Sequence, residues 1–79
     1  MENKLKFIKN GIDIDNNAKT QKVTFKVYSL WDEIQPDGYA TIKTVEIEKI
    51  VLTWDEIDKM GLDNYTKFTR ELYNKYDVK

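Results

Sequence analysis

The sequence predicts a small α+β domain. It reads as an antiparallel meander of about three strands, then one short and one longer C-terminal helix packed on one sheet face, all within a single domain spanning residues 1–79. Three observations carry this. Gln35-Pro36-Asp37-Gly38 is a turn flanked by period-two segments. Thr53-Trp54-Asp55-Glu56 is a capping box at the point where that period ends. Tyr65, Phe68, Leu72 and Tyr76 then form an apolar stripe at helical spacing.

The first strand contains Leu5 and Phe7, then Ile12 and Ile14, interrupted by Asn10-Gly11, where a bend or bulge is expected. Asp15-Asn16-Asn17-Ala18-Lys19 has loop chemistry. The second strand alternates Val23, Phe25 and Val27 with Thr24, Lys26 and Tyr28. In the turn that follows, Pro36 presets φ at the first central position and Asp37 suits the second. Gly38 then supplies the left-handed residue that leads into a G1 bulge.

The third strand alternates Val45 and Ile47 with Thr44, Glu46 and Glu48. With Gln35 facing the bulge, Ile34 opposes Ala40, Val27 opposes Ile47 and Val23 opposes Val51, on the face that also carries Phe25, Trp31 and Val45. Lys26 falls opposite Glu48 on the other face, an opposite-charge cross-strand pair. A slip of one residue would scramble both faces.

In the same register the second face carries Tyr28, Leu30, Ile34, Ala40, Ile42, Ile50 and Leu52. A solvated sheet face should be polar, so two readings are open. A bulge near Lys49 would return Ile50 and Leu52 to the core, which is the favoured reading for that pair. For Leu30, Ile34 and Ile42 an exposed patch that binds a partner stands equally beside strong twist onto the core.

The short helix begins at the capping box, with Asp55 and Glu56 at the positive end of its dipole, and ends at Gly61 as its C′ residue. Asp63 is placed to cap the longer helix, whose solvent side offers Asp63–Lys67 and Glu71–Lys75 as i,i+4 pairs. Phe25, Trp54, Tyr65 and Phe68 read as core. Trp31, Tyr28 and Tyr39 lie near the hairpin turn, where amphipathic rings anchor interfaces.

Composition narrows the function. A chain of 79 residues sits where burial only just offsets chain entropy. Its charged fraction is 34%, but the signs nearly cancel to −1, unlike a disordered chain. There is no Cys, hence neither a disulfide framework nor a thiolate metal site. No apolar run approaches the roughly 18–20 residues of a membrane helix. The N-terminus Met1-Glu2-Asn3-Lys4-Leu5-Lys6-Phe7 alternates rather than forming the apolar block of a signal peptide, so a cytoplasmic protein is expected. Asn64-Tyr65-Thr66 matches a glycosylation sequon that such a location leaves unused. All but one of the thirteen basic residues are Lys, the codon bias of an AT-rich genome such as a Gram-positive bacterium or its phage.

With no His, no Cys and one serine, Ser29, the chain lacks an ordinary general base and a paired nucleophile. The adjacent carboxylates Asp32-Glu33 and Asp55-Glu56 point apart and have turn-flanking and capping explanations, so no catalytic residues are assigned. Asp13-Ile14-Asp15-Asn16-Asn17 starts like an EF-hand loop, but Ala18 and Thr24 stand where that loop needs Gly and Glu. A plain hairpin loop is favoured, and no metal, cofactor or small-molecule substrate is expected.

Three strands followed by a helix resemble, in order of elements, the sheet-type DNA readers of integrase arm-binding domains. That resemblance implies a basic patch of Lys4, Lys6, Lys9, Lys22 and Lys26 on the N-terminal strands. Against it stand a near-neutral balance, a sequence pI of about 5.4 and a single Arg, Arg70, whereas phosphate and base recognition lean on excess positive charge and Arg. An acidic mimic of nucleic acid is no better supported by fourteen acidic against thirteen basic residues.

The expected function is therefore a small non-catalytic accessory or regulatory module, of a kind phages and mobile elements encode, that binds another protein. Tyr28, Leu30, Trp31, Ile34, Tyr39 and Ile42 are its candidate surface. The alternatives are a sheet-type nucleic-acid binder using Lys4, Lys6, Lys22 and Lys26, and a structural subunit whose edge strand pairs with a second copy.

Overall fold

The computed structural model describes residues 3–78, so Met1 and Glu2 of the N-terminal pattern lie outside it, as does Lys79. It shows a three-stranded antiparallel sheet in the order β1-β2-β3, with β1 over Lys4–Asn17, β2 over Lys22–Ile34 and β3 over Ala40–Thr53. Two helices follow, α1 over Trp54–Met60 and α2 over Leu62–Lys75. This is the α+β meander that the sequence predicts.

The hairpin between β2 and β3 forms as its turn chemistry dictates. Gly38 N donates to Gln35 O at 2.9 Å, and Gly38 takes a φ of 95°. From Ile34–Ala40 to Tyr28–Glu46 the pairing follows the expected register. There it shifts, leaving Ile47 as an unpaired bulge, so that Val27 opposes Glu48, Phe25 opposes Ile50 and Val23 opposes Leu52. The expected pairs Val27–Ile47, Val23–Val51 and Lys26–Glu48 therefore do not form, and Lys26 meets Lys49.

The cause is Lys49. In an unshifted ladder Lys49 would stand opposite Phe25 at the centre of the core, where burying an unpaired ammonium is expensive. The bulge instead delivers Ile50 and Leu52 to that face and turns Lys49 and Val51 outward. It sits at Ile47, two residues before the place expected near Lys49.

Between β1 and β2 the irregularity also falls elsewhere than expected, at Ile8 rather than at Gly11, which keeps regular pairing with Tyr28. The strand runs on through Asp15, Asn16 and Asn17, which pair with Thr24, Val23 and Lys22, so the loop shrinks to residues 18–21. The Asn17 side-chain oxygen accepts from the amides of Lys19 and Thr20 and closes the turn.

The core lies on one face. Val23, Phe25 and Val27 of β2 are buried with Leu72 of α2, and Ile12, Ile50, Leu52, Ile57, Tyr65, Phe68 and Tyr76 pack around them. Phe25 makes an edge contact with Phe68 at 5.5 Å and a tilted one with Tyr65 at 6.3 Å. The stripe predicted for α2 is thus the one that packs.

The helices bear out the capping box and Gly61 as the end of α1, and correct three other expectations. Thr53 caps α1 as a full capping box, with the Glu56 amide donating to Thr53 Oγ1 at 3.1 Å and the Glu56 carboxylate accepting from the Thr53 amide. Gly61, at φ 85° and ψ 158°, ends α1 and begins α2 in a region of backbone open essentially to glycine. It occupies the N-cap position, so Asp63 lies inside the first turn of α2 and caps nothing. Among the described residues Lys75 pairs with Glu48 at 3.7 Å and Lys43 with Glu33 at 3.9 Å, and the expected i,i+4 pairs are not formed. Trp54, expected in the core, is partly exposed at the first helical position and donates its indole N–H to Asn16 at 2.9 Å.

Candidate functional site: the uncovered half of the sheet

Element lengths decide what the helices can cover. The 14 residues of α2 rise about 1.5 Å each, roughly 21 Å, whereas a 14-residue strand reaches about 46 Å. The molecule is 53 Å long and 15 Å thin. The helices therefore lie over the half of the sheet near Val23 and Leu52, and α2 stops where Tyr76 meets β1 and β3. There Asn10 donates to the Tyr76 carbonyl at 2.8 Å, and the Tyr76 hydroxyl donates to Glu48.

Beyond that boundary both faces are uncovered. On the inner face Phe7 stacks edge-on against Trp31 at 5.2 Å, and the Trp31 indole donates to buried Ser29 at 2.8 Å. Leu5, Phe7 and Val45 there are all 40% exposed or more. On the outer face Ile34 and Ile42 are exposed, Leu30 is half-buried, and Tyr39 stands at the turn. The bulged Ile8 and Ile47 are exposed as well. Val45 keeps its expected face but lies past the end of α2.

The six candidate contact residues divide. Leu30, Ile34 and Ile42 share the outer face at the hairpin end, Leu30 half-buried and the other two exposed, and Tyr39 projects from the tip. Tyr28 is on the same face but is occupied: its ring lies across Gly11. Trp31 is on the opposite face, half-buried against Phe7. Leu5, Phe7 and Ile8 also belong to the exposed apolar surface, beyond the six residues that the sequence points to. Their signal was available in the alternation of β1, but only the length of α2 shows that nothing covers them.

The lysines do not converge. Lys4 and Lys6 lie at the hairpin end of the outer face, opposite Ile34 and Asp32. Lys22 and Lys26 lie at the other end, opposite Asn17 and Asp13. Six residues of β2 separate the levels of Lys6 and Lys26, about 20 Å of strand. Asp13, Asp15 and Asp32 stand among them on the same face.

Two clefts flank β1. One of about 570 Å³ is lined by Phe7, Gly11, Tyr28, Tyr73 and Tyr76. Another of about 430 Å³ lies between Ile14 and the Tyr65, Thr69 and Tyr73 side of α2. The Tyr76 hydroxyl has its pKa raised, first by donating to the Glu48 carboxylate, then by desolvation and the Glu48 charge, with Lys75 opposing. Among the described residues no three His, Cys, Asp or Glu side chains form a metal-binding group, and no helix is long and apolar enough to cross a membrane. No protein-family model, curated protein or solved structure matches this chain.

Proposed function

We propose that this chain is a non-catalytic interaction module, an accessory or regulatory protein of the cytoplasm, that works by binding another protein. The uncovered half of the sheet supports this reading. A small protein stabilised by one core would be expected to place large apolar residues under its helices, yet here Leu5, Phe7, Ile34, Ile42 and Val45 lie where no helix reaches. The aromatic pair Phe7–Trp31 gives that surface a rigid anchor of the kind that dominates interface energetics. Binding would occlude or recruit the partner at the hairpin end.

A tagged pull-down from the source cell, with and without nuclease, tests this. A stoichiometric protein that survives nuclease and is lost with Ile42→Asp or Phe7→Ala, both at exposed positions, supports the reading. Retention of that protein by both variants rules the surface out. Loss of all co-purifying material after nuclease treatment transfers the assignment to nucleic acid.

A further inference from the structure

We infer that β1 is a self-association edge, pairing antiparallel with β1 of a second copy to give a six-stranded sheet. β1 is a 14-residue edge strand, and the charge along it is segregated. Lys4, Lys6 and Lys9 occupy the N-terminal part of its outer face, and Asp13 and Asp15 the C-terminal part. Antiparallel pairing of two copies sets each basic half against an acidic half. Parallel pairing would set like against like. The other edge, β3, offers less: its bulge puts Lys43 and Glu48 on the inner face and Glu46 and Lys49 on the outer one, so a reversal about Glu48 pairs Glu46 with Lys49 but sets Glu48 against itself, and Glu48 is already held by Tyr76 and Lys75.

The register follows from the pleat and from the bulge at Ile8. A dyad through Gly11 places Lys9 opposite Asp13 of the second copy. Past the bulge, Phe7 then meets Ile14 and Lys6 meets Asp15. Both charged pairs fall on the outer face and the apolar pair on the inner face, as the pairing of β1 with β2 fixes those faces. The rows alternate in sign across the junction, since Lys26 already stands opposite Asp13 and Asp32 opposite Lys6.

A dyad at Asn10 instead opposes Lys6 to Asp13 and Lys4 to Asp15 but leaves Lys9 facing Gly11. The Gly11 register engages Lys9 and brings Phe7, 49% exposed, to Ile14, 48% exposed. Ile14 lines the cleft beside Thr69 and Tyr73 of α2, which would receive the incoming Phe7 ring. The strand that fits this edge is therefore β1 of a second copy of this chain, not a peptide of unrelated sequence.

The experiment is sedimentation equilibrium of the full chain and two β1 charge variants, with circular dichroism to establish folding. One variant carries Asp13→Lys and Asp15→Lys, the other Lys4→Asp, Lys6→Asp and Lys9→Asp; all five side chains are exposed. The wild type should dimerise, each variant alone should self-associate about tenfold or more weakly, and an equimolar mixture should recover the dimer as a heterodimer. A wild type that stays monomeric, or a dimer that neither variant weakens, overturns the proposal. Capture of a different protein at the hairpin end is read separately, so a monomer that still holds that partner sinks the dimer alone.

Discussion

The ring of Tyr28 lies across Gly11 on the outer face of the sheet, so close that a Cβ at Gly11 would come well within van der Waals contact distance of the ring carbons and the hydroxyl oxygen. Gly11 is buried in spite of its place on an edge strand, and Tyr28 is what buries it. An aromatic residue covering a cross-strand glycine restores packing that the missing side chain forgoes. Gly11→Ala should therefore destabilise the protein by about 1–3 kcal/mol through overpacking. Tyr28→Ala should relieve that clash, so the double variant should lose less than the sum of the two single losses in urea denaturation. Additive losses would show that the ring is free to move aside.

The bulge at Ile47 leads to a second prediction. With Ile47 deleted, Glu46 still opposes Tyr28 and Glu48 still opposes Val27, on the faces they occupy now, and the ladder becomes regular. The deletion variant should stay folded, with its melting temperature within a few degrees of the wild type, corresponding to about 1 kcal/mol or less. Deleting Ile50 should do far worse. The chain must then set Lys49 against Phe25, or slip the end of β3 by one residue, which turns Leu52 outward and sets Thr53 against Val23. Thermal melts of the two deletions decide it, and equal losses would mean that the bulge is not what sorts the two faces.

What the sequence made legible was local. The Gln35–Gly38 turn, the Thr53–Glu56 capping box and the stripe from Tyr65 to Tyr76 each carry their information within a few residues, and each forms as the sequence predicts. The register beyond Tyr28 was not legible from alternation alone. Val45 and Ile47 continue the expected period, and the conflict arises only when Lys49 is placed against Phe25, a clash between strands rather than within one. Gly11 shows the same thing: its sequence signature suits a bulge, but its use here depends on a tyrosine 17 positions away, and the bulge moves to Ile8. The candidate surface was half legible. Ile34 and Ile42 are exposed, one of the two readings that their alternation left open, whereas Leu5 and Phe7 join them because α2 is too short to reach.

Phe25 is where the core is most concentrated. It is fully buried, touches Tyr65 and Phe68 of α2 and stands beside Ile50 and Ile14 in the sheet. Phe25→Ala should cost about 3–5 kcal/mol, which removes most of the stability of a domain whose total is about 5–10 kcal/mol. Circular dichroism should show the variant largely unfolded at 37 °C, a loss that Ile42→Asp, at an exposed position, should not reproduce. A folded Phe25→Ala variant would mean that the helices hold to the sheet without their central contact.

The hydroxyl of Tyr76 ties the end of α2 to β3 by donating to Glu48, and this is the contact whose strength depends on pH. The hydrogen bond to Glu48, desolvation and the Glu48 charge all raise the Tyr76 pKa above its ordinary value of 10.0, so the folded protein favours the protonated phenol. A group whose pKa is raised on folding contributes its stabilisation fully below the unfolded pKa and loses it as pH rises through the folded one. The melting temperature of the wild type should therefore exceed that of Tyr76→Phe below pH 10, and the gap should close at higher pH, as a phenolate would sit against the Glu48 carboxylate. Glu48→Gln should bring the Tyr76 titration back toward its ordinary value in an ultraviolet phenolate titration. A melting difference that stays constant through pH 11 would mean that the Tyr76 hydroxyl does not hold Glu48 in solution.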